Sequence, residues 1–276
     1  MKKISRRSFL AAAAVSVAAV ALTACGGSAS SAASSSAASS EAASSSAAAE
    51  LTTVESGKLT MATNATFPPY EMTTDAGTIE GIDIDTAQAI ADKLGLELQV
   101  DNMEFDSSLL SVQQGKADIV MAGVTVTPER QNVMDFSDSY ATGIQSVIVT
   151  NDSEIATLED LPGHLIGTQR GTTGYLYCTD DFGEDSVIAY DSGLTAVQAL
   201  NNGQVDCVVI DDAPAQAYVA ANPGLKVLDT SYAVEEYAIG IAKGNTALLD
   251  AVNAALAELA EEGTLQAIVD KYITAE

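Results

Sequence analysis

One phrase occurs twice in this chain and constrains its fold more than any other feature. Ser111-Val112-Gln113-Gln114-Gly115-Lys116-Ala117-Asp118-Ile119-Val120 returns as Ala199-Leu200-Asn201-Asn202-Gly203-Gln204-Val205-Asp206-Cys207-Val208. Each copy reads as a helix end, a glycine stop, a polar step, an aspartate and an apolar strand. Two explanations stay open at this level. The chain holds two lobes of like topology, or the phrase is a common way to enter a strand of a parallel sheet. Both require alternating helices and strands, an α/β class. The neighbouring pattern agrees. Lys58 to Thr63 reads as a strand. Asp83 to Leu94 carries Ile84, Ala87, Ile90, Ala91 and Leu94 at helical spacing, and Gly95 closes it. Leu96 to Val100 is expected as a strand, Ser107 to Gln114 as a helix and Ile119 to Ala122 as a strand. Thr127 then caps a helix that opens on Pro128. The polar, turn-rich stretch from Asn151 to Asp160 is expected to mark a boundary.

The first residues read as an address. Lys2, Lys3, Arg6 and Arg7 precede an apolar run from Phe9 to Leu22 that is too short for a comfortable membrane span. Leu22-Thr23-Ala24-Cys25 fits a lipoprotein cleavage site, with the Cys25 thiol as lipid acceptor. Ser5-Arg6-Arg7-Ser8-Phe9-Leu10 also has the look of a twin-arginine export signal. Residues 26–50 are nearly all Ser, Ala and Gly, have nothing to bury, and read as a flexible tether. The expected location is therefore the cell membrane, reached through a lipid anchor only, on its extracellular or periplasmic side. The formal charge of −26 argues against nucleic acid as a partner, because phosphate backbones need basic surface. Besides Cys25, only Cys178 and Cys207 remain, with no zinc spacing, so no metal or cofactor is expected. Export permits a disulfide between them; two buried thiols are the simpler expectation. His164, the single histidine, sits in a turn and is expected on the surface.

Beyond the signal segment the only arginines are Arg130 and Arg170. A guanidinium fork grips a carboxylate with two parallel hydrogen bonds. Arg130 falls in the first turn of a helix, where backbone N–H groups also favour an anion. A surface ion pair with Glu129 or Asp135 is the plainer reading.

From about Gly57 to Tyr272 the chain resembles the bacterial extracellular solute-binding proteins of family 3, the amino-acid receptors of ABC importers. The motifs that carry the resemblance are Ala62-Thr63-Asn64-Ala65-Thr66-Phe67-Pro68-Pro69-Tyr70, Gly81-Ile82-Asp83-Ile84-Asp85, Ala122-Gly123-Val124-Thr125-Val126-Thr127-Pro128-Glu129-Arg130, Asp135-Phe136-Ser137 and Gly171-Thr172-Thr173-Gly174. The resemblance implies a two-lobe periplasmic-binding-protein fold of type II, with a ligand cleft between lobes joined by two crossover strands. Lobe one would comprise residues 51–142 and 237–276, and lobe two residues 143–236. It also implies roles. Arg130 takes the α-carboxylate with help from Thr125 and from backbone N–H groups near Thr125 and Thr172. Asp211 takes the α-ammonium, and the Gly123 carbonyl assists. Phe67 and Phe105 flank the ligand side chain, and Asn64 and Gln169 line its far end.

The sequence departs from the family pattern at Asn64, where an aspartate is common, and in the shifted small residues of Tyr237-Ala238-Ile239-Gly240. With an amide at position 64, an uncharged polar amino acid, glutamine foremost, is the expected ligand. Glu104 or Asp106 swinging inward would favour a cation instead, and Arg170 a dicarboxylate. The expected protein is a monomeric, non-enzymatic receptor that delivers a free amino acid to a permease with its ATPase. The alternatives are an exported cyclohexadienyl dehydratase-like enzyme and a ligand-sensing subunit.

Overall fold

The computed structural model describes residues 51–273. The expected signal segment, Cys25 and the tether lie outside these residues. The first stretch alternates as the sequence requires: β1 (Lys58–Thr63), a small antiparallel group of β2 (Thr66–Phe67), β3 (Glu71–Thr73) and β4 (Ile79–Glu80), then α1 (Ile82–Leu94), β5 (Glu97–Asn102), α2 (Phe105–Gln113), β6 (Ile119–Val120), α3 (Pro128–Gln131) and the long β7 (Met134–Thr150). A second set follows: β8 (Ile166–Gln169), α4 (Thr173–Phe182), β9 (Val187–Tyr190), α5 (Gly193–Asn201), β10 (Cys207–Asp211), α6 (Asp212–Ala221) and β11 (Leu225–Val227). The chain returns through β12 (Ala233–Ala242) and ends in α7 (Thr246–Glu261) and α8 (Thr264–Tyr272).

These strands form one nine-stranded sheet in the order β5-β1-β6-β12-β7-β10-β8-β9, with β11 also on β7. Lobe one is built on the parallel set β5, β1 and β6. Lobe two is built on the parallel set β10, β8 and β9. Between them β7 and β12 pair antiparallel from Met134 and Ala242 to Gln145 and Ala233. Their register shifts at Tyr237/Ala238 and Ala238/Gly240, the place where the sequence moves its small residues.

Parallel sheets carry helices on both faces, so their strands read as continuous apolar runs. In β1, Leu59 and Met61 face a core completed by Ile90, Ile239, Leu248 and Val252. Ala62 faces the opposite core with Val112, Val120 and Val124. Lobe two has its own pair of cores, one around Val197, Val208 and Ile210, the other around Val147, Ile166 and Val209. Cys178 and Cys207 lie buried in the latter, both as thiols.

The repeated phrase has one structural meaning in both lobes. α2 and α5 each end just before a glycine in the left-handed region, Gly115 at φ 65° and Gly203 at φ 68°. The aspartate that follows then accepts a backbone N–H near the start of a neighbouring strand. Asp118 takes that of Thr60 at 2.8 Å and Asp206 that of Leu165 at 2.8 Å.

Several strand and helix limits differ from the sequence expectation, among them the start of α1 at Ile82. Leu96 belongs to the stop of α1, its N–H bonded back to Ala91, so β5 begins at Glu97 and runs to Asn102. α2 starts earlier, at Phe105, because Glu104 is the extended residue before the first turn. β6 ends at Val120. The stretch from Asn151 to Asp160 is a turn inside lobe two rather than a boundary. Ile155 within it packs with Val147, Val149 and Ile166 in one core. His164 lies half-buried at the surface, with Nδ1 3.3 Å from Asp206.

Candidate ligand-binding cleft

In open α/β sheets the carboxyl ends of the parallel strands surround the usual ligand site. Here the ends of β1, β6, β8 and β10 converge on a cleft. All nine residues singled out for binding lie on its wall. Asn64 and Phe67 follow β1, and Phe105 opens α2. Gly123, Thr125 and Arg130 come from the β6–α3 segment, Gln169 and Thr172 from the end of β8, and Asp211 from the end of β10.

The local sequence explains how Arg130 is placed. The Thr127 hydroxyl caps α3 by accepting the Arg130 N–H at 3.2 Å, and Pro128 fills the first helical position. The guanidinium then points inward. Nη1 donates to the Thr125 carbonyl at 2.8 Å, Nη2 donates to the Gly171 carbonyl at 3.1 Å, and the group lies 5.4 Å from the centre of the Phe105 ring. Only 8% of Arg130 is exposed, so the surface-pair reading fails; Asp135 pairs with Lys243 at 2.7 Å instead. Burial pulls the Arg130 pKa down and the nearby Glu235 carboxylate pulls it up. One oxygen of Glu235 is engaged elsewhere: Oε2 accepts from the Thr125 hydroxyl at 3.0 Å, the Gln145 amide at 3.1 Å and the Thr173 hydroxyl at 3.0 Å, while Oε1 is buried without a hydrogen-bond donor. Among the described residues no salt bridge involves Arg130. A buried guanidinium without a paired anion is costly, and an incoming carboxylate relieves that cost.

Asp211 faces the same cleft with 2% of its surface exposed. Its Oδ2 accepts the Ile144 N–H of β7 at 2.7 Å, and its Oδ1 caps α6 through the Ala213 N–H at 3.3 Å. Burial raises its pKa to about 6, against hydrogen bonds from Tyr237, Ile144 and Ala213 that lower it. A cation brought against it restores the charged form. Its neighbour Asp212 turns away, accepting the Ser146 hydroxyl at 3.0 Å.

Asn64 and Gln169 meet across the cleft. Gln169 Nε2 donates to Asn64 Oδ1 at 2.9 Å, and Asn64 Nδ2 donates to the Met103 carbonyl at 2.8 Å. The Tyr218 hydroxyl donates to the Thr66 carbonyl, a further link from lobe two to lobe one. Arg170, Glu104 and Asp106 are absent from the cleft wall. Arg170 lies outside it, more than half exposed, with Nε 3.7 Å from Asp191.

Sequence reasoning missed Glu71, Gln145, Thr173 and Tyr237, all of which line the cleft. Glu71 is the most consequential. It is fully buried, and neither of its oxygens has a hydrogen-bond donor. Its position directly after Pro68-Pro69-Tyr70, beside residues already assigned to the site, was the available signal. Tyr237 and Gln145 lie on the two crossing strands, where strand periodicity alone assigns both to packing.

Residues 59–275 match the family model for bacterial extracellular solute-binding proteins, family 3. The chain is 32% identical to the L-cystine-binding protein TcyJ of Escherichia coli (strain K12) over 80% of this chain and 85% of the relative. It is 34% identical to ABC transporter arginine-binding protein 1 of the same organism, over 78% and 90%. A solved structure of an ancestral arginine-binding protein bound to glutamine superposes with a TM-score of 0.76 at 39% identity, covering 79% of this chain and 99% of that one.

Proposed function

Since the chain belongs to the bacterial extracellular solute-binding proteins of family 3, we propose that it captures a free amino acid outside the cytoplasm by lobe closure and delivers it to the permease of an ABC importer. One observation carries this reading. Arg130 and Asp211 are both buried on the wall of one cleft, a guanidinium lacking an anion and a carboxylate held partly protonated. An α-amino acid head group supplies the missing charge to each. In this reading the backbone N–H groups near Thr125 and Thr172 add donors for the carboxylate and the Gly123 carbonyl adds an acceptor for the ammonium; the Thr125 hydroxyl, expected to help, is given to Glu235 instead. The lobe limits at 142/143 and 236/237 fall within β7 and β12, which makes those strands the hinge.

For the ligand side chain, a cation with arginine as lead draws support from the arginine-binding relative. A neutral amide ligand was expected because Asn64 and Gln169 can both donate and accept. These two amides are already bonded to each other. A second reading, glutamine or another uncharged polar amino acid, draws support from the ancestral arginine-binding relative bound to glutamine. Phe67 and Phe105 would flank the aliphatic stem of either ligand.

A thermal-shift panel of the common amino acids tests both levels. Ligand at a hundredfold excess over its dissociation constant adds about 2.7 kcal/mol. In a globule of this size that raises the melting temperature by about 5–11 °C. No response to any amino acid would sink the receptor reading; glutamine above arginine would reverse the side-chain assignment. The dehydratase alternative would draw on Glu71 as its acid, and an aromatic product from prephenate or arogenate would establish it. Sensing would instead require a signalling partner. We place the protein on the outer face of the cell membrane as a monomer, held by lipidated Cys25 and its Ser/Ala tether.

A further inference from the structure

Glu235, on β12, is a buried acid that does not itself line the cleft, yet it holds three residues that do. Its Oε2 gathers one donor from each of three elements. These are the Thr125 hydroxyl of the β6–α3 segment at 3.0 Å, the Gln145 amide of β7 at 3.1 Å and the Thr173 hydroxyl at the start of α4 at 3.0 Å. All three partners are buried with it. The backbone reinforces the first contact. The Ala238 N–H donates to the Val124 carbonyl at 3.1 Å and the Val126 N–H to the Glu236 carbonyl at 3.2 Å, which lays Thr125 opposite Tyr237 on β12. Glu235 stands two residues before Tyr237 and so shares its face of the strand. The start of α4 is equally close. A Cβ on Gly174, the residue after Thr173, would come 2.8 Å from Gln145 Oε1.

Stability alone does not select this arrangement, because a well-packed apolar side chain avoids the cost of burying a charge. What the three partners do explains it better. The Thr125 carbonyl accepts Arg130 Nη1 at 2.8 Å and so fixes the guanidinium. Thr172 and Thr173 open α4, and the free N–H groups of a helix start attract an anion. Thr125 and Thr173 therefore belong to two flanks of one carboxylate site, and Glu235 ties both flanks to a single strand. It also decides which donors the flanks keep. Both hydroxyl protons go to Glu235, so the guanidinium and the backbone N–H groups are the donors left for a carboxylate.

We propose that Glu235 is a positioning residue for the ligand head group: acting from behind the cleft wall, its Oε2 holds Thr125 and the first turn of α4 in the register that lets Arg130 and the backbone N–H groups meet one carboxylate. The proposal rests on the amino-acid receptor reading of the cleft. Glu235 acts through hydrogen bonds it accepts, so its oxygen matters and its charge does not. Its effect falls on the head group, which every amino acid shares, and not on the choice between side chains.

Calorimetry on the full chain, with arginine and glutamine as probes, separates these roles. Glu235→Ala removes the acceptor and should weaken both probes alike, by roughly tenfold or more, with the ratio of their affinities unchanged. Glu235→Gln keeps an oxygen for the three donors, places its amide nitrogen where Oε1 was, and loses only the charge. It should restore affinity to within about threefold of the original chain. A purely structural role would lower the melting temperature of Glu235→Ala and spare the affinity of the folded fraction. Thr125→Val and Thr173→Val each remove one donor from the shared oxygen, so their affinity losses should be non-additive in the double variant. If Glu235→Ala does not fold, that cycle decides, and additive losses would overturn the proposal. Normal affinity in Glu235→Ala, a loss in Glu235→Gln as large as in Glu235→Ala, or a loss confined to one probe would also overturn it, and each leaves the receptor reading intact. Failure of the unaltered chain to bind any amino acid would overturn both.

Discussion

Gly171 sits where the two lobes touch, and replacing it separates strain from closure. Its φ is +74°, its carbonyl accepts Arg130 Nη2 at 3.1 Å, and a Cβ on it would overlap the Asp106 carboxylate at the start of α2 in the other lobe. Gly171→Ala therefore has two costs. A left-handed backbone disfavours an L side chain by about 1–2 kcal/mol whether the lobes are open or closed. That cost lowers the melting temperature by about 2–8 °C and leaves affinity unchanged. The overlap with Asp106 exists only when the lobes meet. Asp106 is exposed and can swing aside, but a lobe spacing that admits the new methyl group stretches the Arg130–Gly171 bond. Losing a hydrogen bond from a charged group costs about 1.5–3 kcal/mol, or roughly ten- to hundredfold in dissociation constant. Calorimetric affinities and melting temperatures of Gly171→Ala, Asp106→Ala and the double variant form a cycle that divides the two costs. The double variant should recover most of the lost affinity and none of the lost thermal stability. An affinity loss that Asp106→Ala leaves in place would refute the overlap as its cause. Unchanged affinity in Gly171→Ala would show that Asp106 swings aside at no cost to closure and would refute the predicted affinity loss.

Arg130→Ala and Asp211→Ala should each weaken amino-acid binding by about 2–5 kcal/mol, roughly thirtyfold to several thousandfold, in a protein that still folds. Near-normal calorimetric affinity in either would remove that residue from the site. The empty protein should lose stability as pH rises, because burial raises Asp83 and Asp211 to about 6. Their contribution is complete below the ordinary aspartate pKa and disappears as pH climbs through 6, at about 1 kcal/mol for each group between pH 5 and 7. Asp211→Asn should flatten the pH dependence of the unliganded melting temperature, and an unaltered slope would exclude Asp211 as a source. Cys25→Ala should release the protein from washed membranes into the soluble fraction; retention would place the anchor elsewhere.

The legible and illegible parts of this sequence differ in physical kind. Helix stops and caps were readable because Gly95, Gly115, Thr127 and Gly203 act within a few residues of themselves. The family motifs named nine residues that the fold brings to one cleft. The engagement of Asn64 was not readable, because its partners Met103 and Gln169 are distant in the chain. Arg130 looked like a surface residue for the same reason: its acceptor on Gly171 belongs to the other lobe. Glu71 was hidden differently. An acid on a short strand reads as exposed, and only the fold buries it on the cleft wall. The polar run at Asn151 reads as a break between domains, yet Ile155 anchors it within a single core.

Lobe one is written in two pieces of chain. β12 lies beside β6, and Ile239, Ile241, Leu248 and Val252 complete the core that begins with Leu59 and Met61. The cores of lobe two draw their buried residues from one uninterrupted stretch, from Val147 to Tyr232. This arrangement orders assembly in time. The second-written lobe closes only short loops, whereas the first must span the whole insertion before its last strand arrives, and such long-range closure is slow. During refolding, amide protection should reach Val208 and Val209 before Met61 and Ala62. Until β12 docks, the Arg130 side of the cleft has no finished lobe behind it, so the two halves of the binding site mature at different moments.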